Sequence, residues 1–292
     1  MLLDTDNMKR TLVLYLYKED PRTLANLKFF IRNGFTEAAH THYLFIINDF
    51  KCSADFPGAT NITIIKKSNS YDLGAYKYAL DAFEHGDYEF FIFINSSCIG
   101  PILPEYVTCP WHDIVTGMLT DSIKLVAPII EVPNDDFGRT AIETLKFISD
   151  SDTNIPFLHT YMFATDSTGL EILLRYRALT SEDLSQENLI HRLERLITSS
   201  ILNEGFGVKC LLLKYKNVDF RLKENWIASR WVKGKLTCPE VPGNYDGIDV
   251  QPLEVMFTKN IRRKHAFRSF KSSGISRTLS RYLEKYVAWS VD

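Results

Sequence analysis

The first 95 residues divide into apolar runs separated by polar or helical segments. Four runs are rich in strand-forming residues: 12–17, 43–47, 62–65 and 90–94. The run 90–94 contains no polar residue, which is typical of a strand buried on both faces at the centre of a parallel sheet. Strands that alternate with helical segments predict parallel pairing, and hence an α/β fold in which helices flank a mostly parallel central sheet.

Two helices in this region have recognisable beginnings. Asp20 followed by Pro21 favours a helix start, and Gly34 marks the end of that helix. Asp72 can cap a second helix, and the apolar face of that helix would be formed by Leu73, Tyr76, Leu80 and Phe83. The polar loop 68–72 therefore lies between a strand end and a helix N-terminus, where backbone amides favour an anion or a sugar hydroxyl.

Residues 111–215 predict three further strands and three helices. The strands are 124–130, 159–164 and 208–215. The first helix is 111–119, and the second begins near Asp166 and buries Leu170, Leu173 and Leu174. The third is 180–204, with Gly205 at its end. Residues 216–250 are loop-rich. Because no linker or repeat interrupts the pattern, we expect a single domain over residues 1–265.

The composition supports a globular, cytoplasmic protein. At 292 residues with 45% hydrophobic content, the chain can bury a sizeable core. No apolar stretch reaches the roughly 18 residues that a membrane span needs, and the first ten residues, which include two Asp and no long apolar run, do not fit a signal peptide. Five scattered cysteines without a CxxC pair indicate neither a disulfide framework nor a zinc site. We therefore expect the cytoplasm, which for a viral protein is that of the host.

Charge is unevenly distributed along the chain. Residues 259–285 contain nine Lys or Arg and one acid, whereas the whole chain carries a net charge of −2. We expect 266–292 to form a basic amphipathic helix, packed on the same domain. Such a segment favours an anionic partner, either phosphate or a membrane surface, although a solvated basic helix has the same composition. Nucleic acid is not an expected partner.

The candidate chemistry lies directly after the central strand. Asn95, Ser96 and Ser97 follow the run 90–94, and ligands of open α/β sheets bind at the carboxyl ends of the strands. The first strand is not followed by GxGxxG, and the chain has no GxxxxGK[ST] motif. Dinucleotide-dependent oxidoreductases and P-loop NTPases are therefore disfavoured.

Five segments together resemble nucleotide-sugar glycosyltransferases of the GT-A fold, especially the small chlorovirus and bacterial polysaccharide types, rhamnan-synthesis enzymes included. These segments are SNSYDLGAY (68–76), FIFINSSCIGPILP (91–104), HTYMFATDSTGLEIL (159–173), ENLIHRLERLITSSILNEGFGV (187–208) and QPLEVMFTKNIRR (251–263). Their order and spacing carry the resemblance.

The resemblance implies a donor site with an unusual feature. Tyr17, Asn69 and Asp72 would embrace the nucleotide, and Asn95–Ser97 stand where most GT-A enzymes carry the metal-binding DxD motif. Asn and Ser are weak ligands for Mg²⁺ or Mn²⁺. We therefore expect no metal ligands and no cofactor, although a divalent ion stays possible. In place of the metal, the leaving diphosphate would be stabilised by three cations, Lys259, Arg262 and Arg263.

An inverting transferase also needs a base for the acceptor hydroxyl. Glu194 matches the helix glutamate of the related segment and is the first candidate, and Glu187 is the second. Either one is equally compatible with a surface position beside an arginine. A retaining enzyme would not need this base, and the sequence leaves the stereochemistry open.

The resemblance thus implies transfer of a sugar from a nucleoside diphosphate, with a UDP-sugar as the expected donor, to a glycan hydroxyl. The loops 131–157 and 216–250 would shape the acceptor side. One alternative is a non-catalytic glycan-binding or scaffold protein of the same fold that has lost its DxD motif. Another is a nucleotidyltransferase, although the first βα loop, YKEDPR, lacks the glycines that such an enzyme needs.

Overall fold

The computed structural model describes residues 10–68, 70–133, 155–180, 193–227, 238–241, 243–245 and 247–259. The candidate residues Asn69, Glu187, Arg262 and Arg263 and the segment 266–292 lie outside the described residues. The first half of the predicted helix 180–204 also lies outside them.

Eleven strands are assigned in the described part of the chain: β1 (Thr11–Lys18), β2 (Thr41–Asn48), β3 (Ile62–Lys67), β4 (Phe90–Asn95), β5 (Cys98–Ile99), β6 (Ile123–Ala127), β7 (Ile130–Glu131), β8 (Phe157–Leu158), β9 (Met162–Asp166), β10 (Gly207–Cys210) and β11 (Thr258–Lys259). The α-helices assigned there are α1 (Pro21–Asn33), α2 (Asp72–Ala82), α3 (Trp111–Thr116), α4 (Ser167–Arg175), α5 (Glu194–Asn203) and α6 (Pro252–Val255).

Seven of the strands form one central sheet, in the order β10-β6-β9-β4-β1-β2-β3. The first four strands of the chain pair in parallel, as the sequence predicted. Strand β9 runs antiparallel to both of its neighbours, β4 and β6. The expected α/β fold with a mostly parallel central sheet is therefore confirmed.

The core lies on both faces of this sheet because alternate residues of each central strand point to opposite faces. From β1, Leu12, Leu14 and Leu16 pack on the face covered by α2, α4 and α5. Val13 and Tyr15 pack on the other face with residues of α1 and α3. The middle residues of β1 and β4 are all apolar because helices cover both faces of the sheet.

Several predicted boundaries differ from the structure. The expected strand 124–130 is divided into β6 and β7, since Pro128 lies between them and has no N–H to donate to a ladder. The expected strand 208–215 ends at Cys210, because Cys210 pairs with Ala127, the last residue of β6. A 3₁₀ turn at Leu213–Tyr215 follows. Strand β9 begins at Met162 rather than at residue 159.

Helices α1, α2 and α4 form where the sequence predicted them, α5 covers the described part of the predicted helix 180–204, and the predicted helix 111–119 ends at Thr116. Asp20 accepts a hydrogen bond from the N–H of Arg22 at the start of α1, and Gly205 adopts the left-handed conformation after α5. The prediction that Asp72 caps α2 was wrong. Tyr71 occupies the N-cap position, and the Asp72 carboxylate accepts a hydrogen bond from Asn95 instead. On α4, Leu174 is half-buried and Ile172 takes the expected place in the core.

No helix in the part of the chain that the structure describes is long and apolar enough to cross a bilayer.

One buried ion pair joins β6 to the start of α4. Lys124 Nζ lies 2.6 Å from Asp166 Oδ2, and the two side chains are 9% and 12% exposed. Asp166 Oδ1 also accepts a hydrogen bond from the N–H of Gly169, which caps α4. We expect Asp166→Ala to lower the free energy of unfolding by about 3–5 kcal/mol, because it leaves a buried ammonium without its counter-charge.

Urea denaturation measures this loss. The matched control is Asp81→Ala, which removes the exposed pair with Lys77 on α2. That change should cost about 0.5 kcal/mol or less. Similar losses for the two variants would contradict the structural importance of the Lys124–Asp166 pair.

Candidate functional site

A polar cavity of about 610 Å³ opens at the carboxyl edge of the central sheet. The residues that line it come from the ends of β1, β2 and β4, from α1 and from the loop before α2: Leu16, Lys18, Thr23, Asn48, Ser70, Tyr71, Asp72, Asn95, Ser96 and Ser97. Strand β1 has β2 on one side and β4 on the other, so the strand order reverses at this point. The cavity therefore lies at the topological switch point, where open α/β sheets bind ligands.

Asn95 organises the floor of this cavity. Its Nδ2 donates to Asp72 Oδ2 at 2.6 Å, while its Oδ1 accepts hydrogen bonds from the backbone N–H and the hydroxyl of Ser97. The carbonyl oxygen of Ser96 accepts a 2.9 Å hydrogen bond from Asn26 on α1. The turn after β4 is thus held from both sides, with its polar atoms directed at the β3–α2 loop and at α1.

Asn48 fixes the opposite wall. Its side chain donates to the carbonyl oxygen of Ser70 at 2.7 Å and accepts from the N–H of Ser70 at 2.9 Å. This pair of bonds ties the loop before α2 to the end of β2. Two neutral amides, Asn48 and Asn95, therefore position the strand ends and the loop around the cavity.

Charged groups surround the half-buried Asp72. Burial raises the pKa of its carboxyl, and the negative charge of Glu194 adds to that rise, whereas the hydrogen bond from Asn95 and the charges of Lys259 and Lys18 lower the pKa. Both lysines and Glu194 are therefore within electrostatic range of one carboxylate. Lys18 also lines the cavity, so at least one of these cations faces it directly.

Lys259 reaches this region through a short antiparallel pairing. In the β5–β11 ribbon, Lys259 is opposite Cys98 and Thr258 is opposite Ile99. The ribbon fits closely because Gly100 has no side chain: an added Cβ would lie 2.4 Å from Phe257 Cδ1. Lys259 Nζ lies 5.9 Å from the centre of the Tyr161 ring. The segment 256–259 is thereby folded back beside the turn that follows β4.

Glu194 is the first residue of α5 and is half-buried. Its Oε1 accepts a 2.6 Å hydrogen bond from the hydroxyl of Thr160. The charge of Glu194 also acts on the buried Arg195. Its carboxylate is thus oriented by Thr160, on the segment that leads into β9.

Tyr17, unlike the candidates Asp72 and Asn95, does not line the cavity. It is fully buried, and its hydroxyl donates to Glu19 Oε2 at 2.7 Å rather than lining the cavity. Glu19 also accepts hydrogen bonds from the N–H and hydroxyl of Ser53, which lower the pKa of its carboxyl. This network joins the end of β1 to the loop after β2.

The structure thus brings together four candidates in the cavity lining: Asp72, Asn95, Ser96 and Ser97. Lys259 and Glu194 lie near them.

Sequence reasoning did not select Lys18, Thr23 or Asn48. The first and last of these end β1 and β2, so the carboxyl-end rule marks them as possible ligand contacts, but only the strand order shows that they meet Asn95.

The central sheet, its helices on both faces and the polar cavity at its switch point define an α/β domain with a candidate ligand site at the carboxyl edge of the sheet. No family model matches the sequence, and no curated protein matches it. Among solved structures, the chain is similar to the mannosyltransferase PcManGT from Pyrobaculum calidifontis, in complex with GDP-Man and Mn²⁺. The two are 10% identical, with a TM-score of 0.40, over 70% of this chain and 55% of that chain. The chain therefore covers just over half of that mannosyltransferase. Structural similarity at this level gives no information about the reaction of this protein.

Proposed function

We propose that this protein is a glycosyltransferase that moves a sugar from a nucleoside diphosphate, with UDP as the expected nucleotide, to a hydroxyl of a glycan. The observation that carries the proposal is the cavity at the switch point, where Asp72, Asn95 and Lys18 converge from three different parts of the chain. The sequence resemblance assigns a nucleotide-sugar donor to this same edge of the sheet.

In the proposed donor complex, the nucleoside occupies the side formed by Asn48 and the loop Ser70–Asp72. The diphosphate lies toward the turn Asn95–Ser97, between Lys18 and Lys259. Ammonium groups held in place before the reaction stabilise the charge that develops on a leaving diphosphate. Arg262 and Arg263, three and four residues beyond Lys259, remain proposed contributors from outside the described residues.

Metal-independent donor binding is part of the proposal, and the donor atoms at the turn support it. The Asn95 side-chain oxygen Oδ1 already accepts two hydrogen bonds from Ser97, and Ser96 and Ser97 are neutral. Mg²⁺ and Mn²⁺ prefer carboxylate oxygens. The turn therefore does not fit a divalent ion, and the proposed reaction proceeds without one.

In the reaction, the oxygen of the acceptor hydroxyl attacks the anomeric carbon of the donor sugar. The bond between that carbon and the diphosphate oxygen breaks, and the diphosphate leaves with the electron pair. Glu194 takes the proton of the acceptor hydroxyl. Attack from the face opposite the leaving group inverts the anomeric configuration.

Calorimetric titration with a panel of nucleoside diphosphate sugars tests the proposal, with EDTA or with Mn²⁺ in the buffer. We expect at least one donor to bind with an affinity that EDTA does not lower. Failure of every nucleotide sugar to bind would exclude the glycosyltransferase. Binding without transfer to any glycan acceptor would favour a non-catalytic protein of the same fold, and loss of binding in EDTA would overturn metal independence.

A further inference from the structure

A second cluster of reactive side chains lies outside the donor cavity. Glu131 ends β7, His159 follows β8, and Cys238 and Glu240 belong to the described segment 238–241. His159 and Glu131 are 6% and 8% exposed, and the side chain of Glu240 is 8% exposed. These three side chains are therefore buried, whereas Cys238 is half-buried. The cluster joins segments that are far apart in the sequence.

The two nitrogens of His159 face different partners. Nδ1 lies 2.8 Å from Glu240 Oε2, a hydrogen-bond distance. Nε2 faces Glu131 Oε2 at 3.3 Å and Cys238 Sγ at 3.9 Å. The Nε2, Oε2 and Sγ atoms all lie within 4.8 Å of one another. One nitrogen is thus anchored by a carboxylate, while the other shares a small space with an oxygen and a sulfur.

One of these separations matches the edge of a tetrahedral metal site, and a second is close to it. Bonds of about 2.0–2.1 Å to nitrogen and oxygen and about 2.3 Å to sulfur place neighbouring ligand atoms about 3.3–3.6 Å apart. The Nε2–Oε2 separation already has this value, and the Nε2–Sγ separation exceeds it by a few tenths of an ångström. We propose that Glu131, His159 and Cys238 bind a zinc-type divalent ion, and that Glu240 orients the imidazole from behind.

The arrangement around His159 is the one that metal-binding histidines adopt. A ligating imidazole commonly donates its second N–H to a carboxylate, which sets the tautomer and raises the basicity of the ligand. Glu240 occupies that position. A donor set of one sulfur, one imidazole nitrogen and one carboxylate oxygen favours zinc over Mg²⁺ or Mn²⁺, which prefer oxygen alone.

Electrostatics also favour a cation at this point. The carboxylates of Glu240 and Glu131 face the two nitrogens of the His159 ring, at 2.8 Å from Nδ1 and 3.3 Å from Nε2. The two carboxylates thus stabilise positive charge between them. A divalent ion supplies that charge and takes the place of the proton on Nε2.

The ion would hold the segment 238–241 on the β7–β8 ribbon. His159 is followed by Thr160, whose hydroxyl donates to Glu194, and by Tyr161, whose hydroxyl donates to the carbonyl oxygen of Phe257. Metal binding would therefore also steady the residues beside the candidate base. The proposal does not rest on the proposed function, because none of the metal ligands lines the donor cavity.

Titration of the metal-free, full-length protein with Zn²⁺ in competition with a chromophoric chelator tests the proposal, and Co²⁺ serves as a spectroscopic substitute. We expect one tightly bound ion and the near-ultraviolet absorption of a thiolate–cobalt bond. Cys238→Ser should abolish that absorption. Glu240→Gln should weaken metal binding by about 10- to 100-fold while leaving the absorption in place.

Two variants serve as matched controls. Cys109→Ser removes an exposed thiol, and His40→Gln disrupts the second close group of potential ligands in the described residues, His40, His112 and Asp113. Neither should change the affinity or the cobalt spectrum. Lack of stoichiometric Zn²⁺ binding, or a cobalt spectrum that is the same with Cys238→Ser, would overturn the proposal.

Folding of the variants is checked separately. The thermal unfolding of Cys238→Ser and of the original protein should coincide in excess chelator, and Zn²⁺ should raise the unfolding temperature of the original protein alone. A Cys238→Ser protein that does not fold would leave the decision to Glu240→Gln. Unchanged zinc affinity in Glu240→Gln would then overturn the proposal.

Discussion

Glu194→Gln is expected to lower the rate of sugar transfer by about 100- to 10,000-fold, the range over which general-base catalysis contributes. Glutamine has nearly the same shape and can still accept the hydrogen bond from Thr160, but its amide cannot take a proton from the acceptor. Donor affinity should therefore stay unchanged. Steady-state rates and calorimetric donor binding, measured on the same preparation, separate the two effects.

The matched control for this substitution is Glu171→Gln, which changes an exposed acid on α4. It should leave both the rate and the donor affinity as they are. Loss of donor binding in Glu194→Gln would indicate a structural role for the Glu194–Thr160 contact. An unchanged rate would exclude Glu194 as the base and leave Glu187 as the remaining candidate.

Lys18→Gln and Lys259→Gln are each expected to weaken binding of the nucleoside diphosphate by about 10- to 100-fold. A hydrogen bond to a charged group contributes about 1.5–3 kcal/mol, and about 1.4 kcal/mol corresponds to a tenfold change in affinity. Binding of the corresponding nucleoside, which has no phosphate, should not change. Titrating each variant with both ligands measures the difference.

Lys28→Gln is the control for the two lysine variants, because Lys28 is an exposed lysine in the middle of α1. Its affinity for the diphosphate should equal that of the original protein. Equal losses for nucleoside and diphosphate in Lys259→Gln would show that the residue supports the fold of the β5–β11 ribbon. An unchanged diphosphate affinity in both variants would remove these lysines from the proposed donor site.

Much of the sheet could be predicted because strand formation leaves a local pattern. The apolar runs 12–17 and 90–94 lie within β1 and β4, and the rule that ligands bind at the carboxyl ends of strands identified Asn95–Ser97. The same rule could not say which other strand ends would converge there. That depends on the strand order, so Lys18 and Asn48 were missed.

Two of the errors have the same origin in contacts between distant parts of the chain. Asp72 has the residue type and position of a helix cap, but Asn95, 23 residues away, binds its carboxylate. The strand prediction after residue 208 was too long because the end of β6 limits β10. In both cases a partner that is remote in sequence outweighs the local preference.

The sequence by itself determined the alternation of strands and helices, the start of α1 at Asp20 and the polar turn after the central strand. Periodicity and capping are local properties, so the residues that create them are also the ones that show them. Only the tertiary structure decided that β9 runs antiparallel between β4 and β6 and that Lys259 lies opposite Cys98. It alone also decided that His159 meets Cys238, 79 residues away. Such pairings depend on how distant segments pack together in the folded protein, and short-range sequence patterns do not encode that packing.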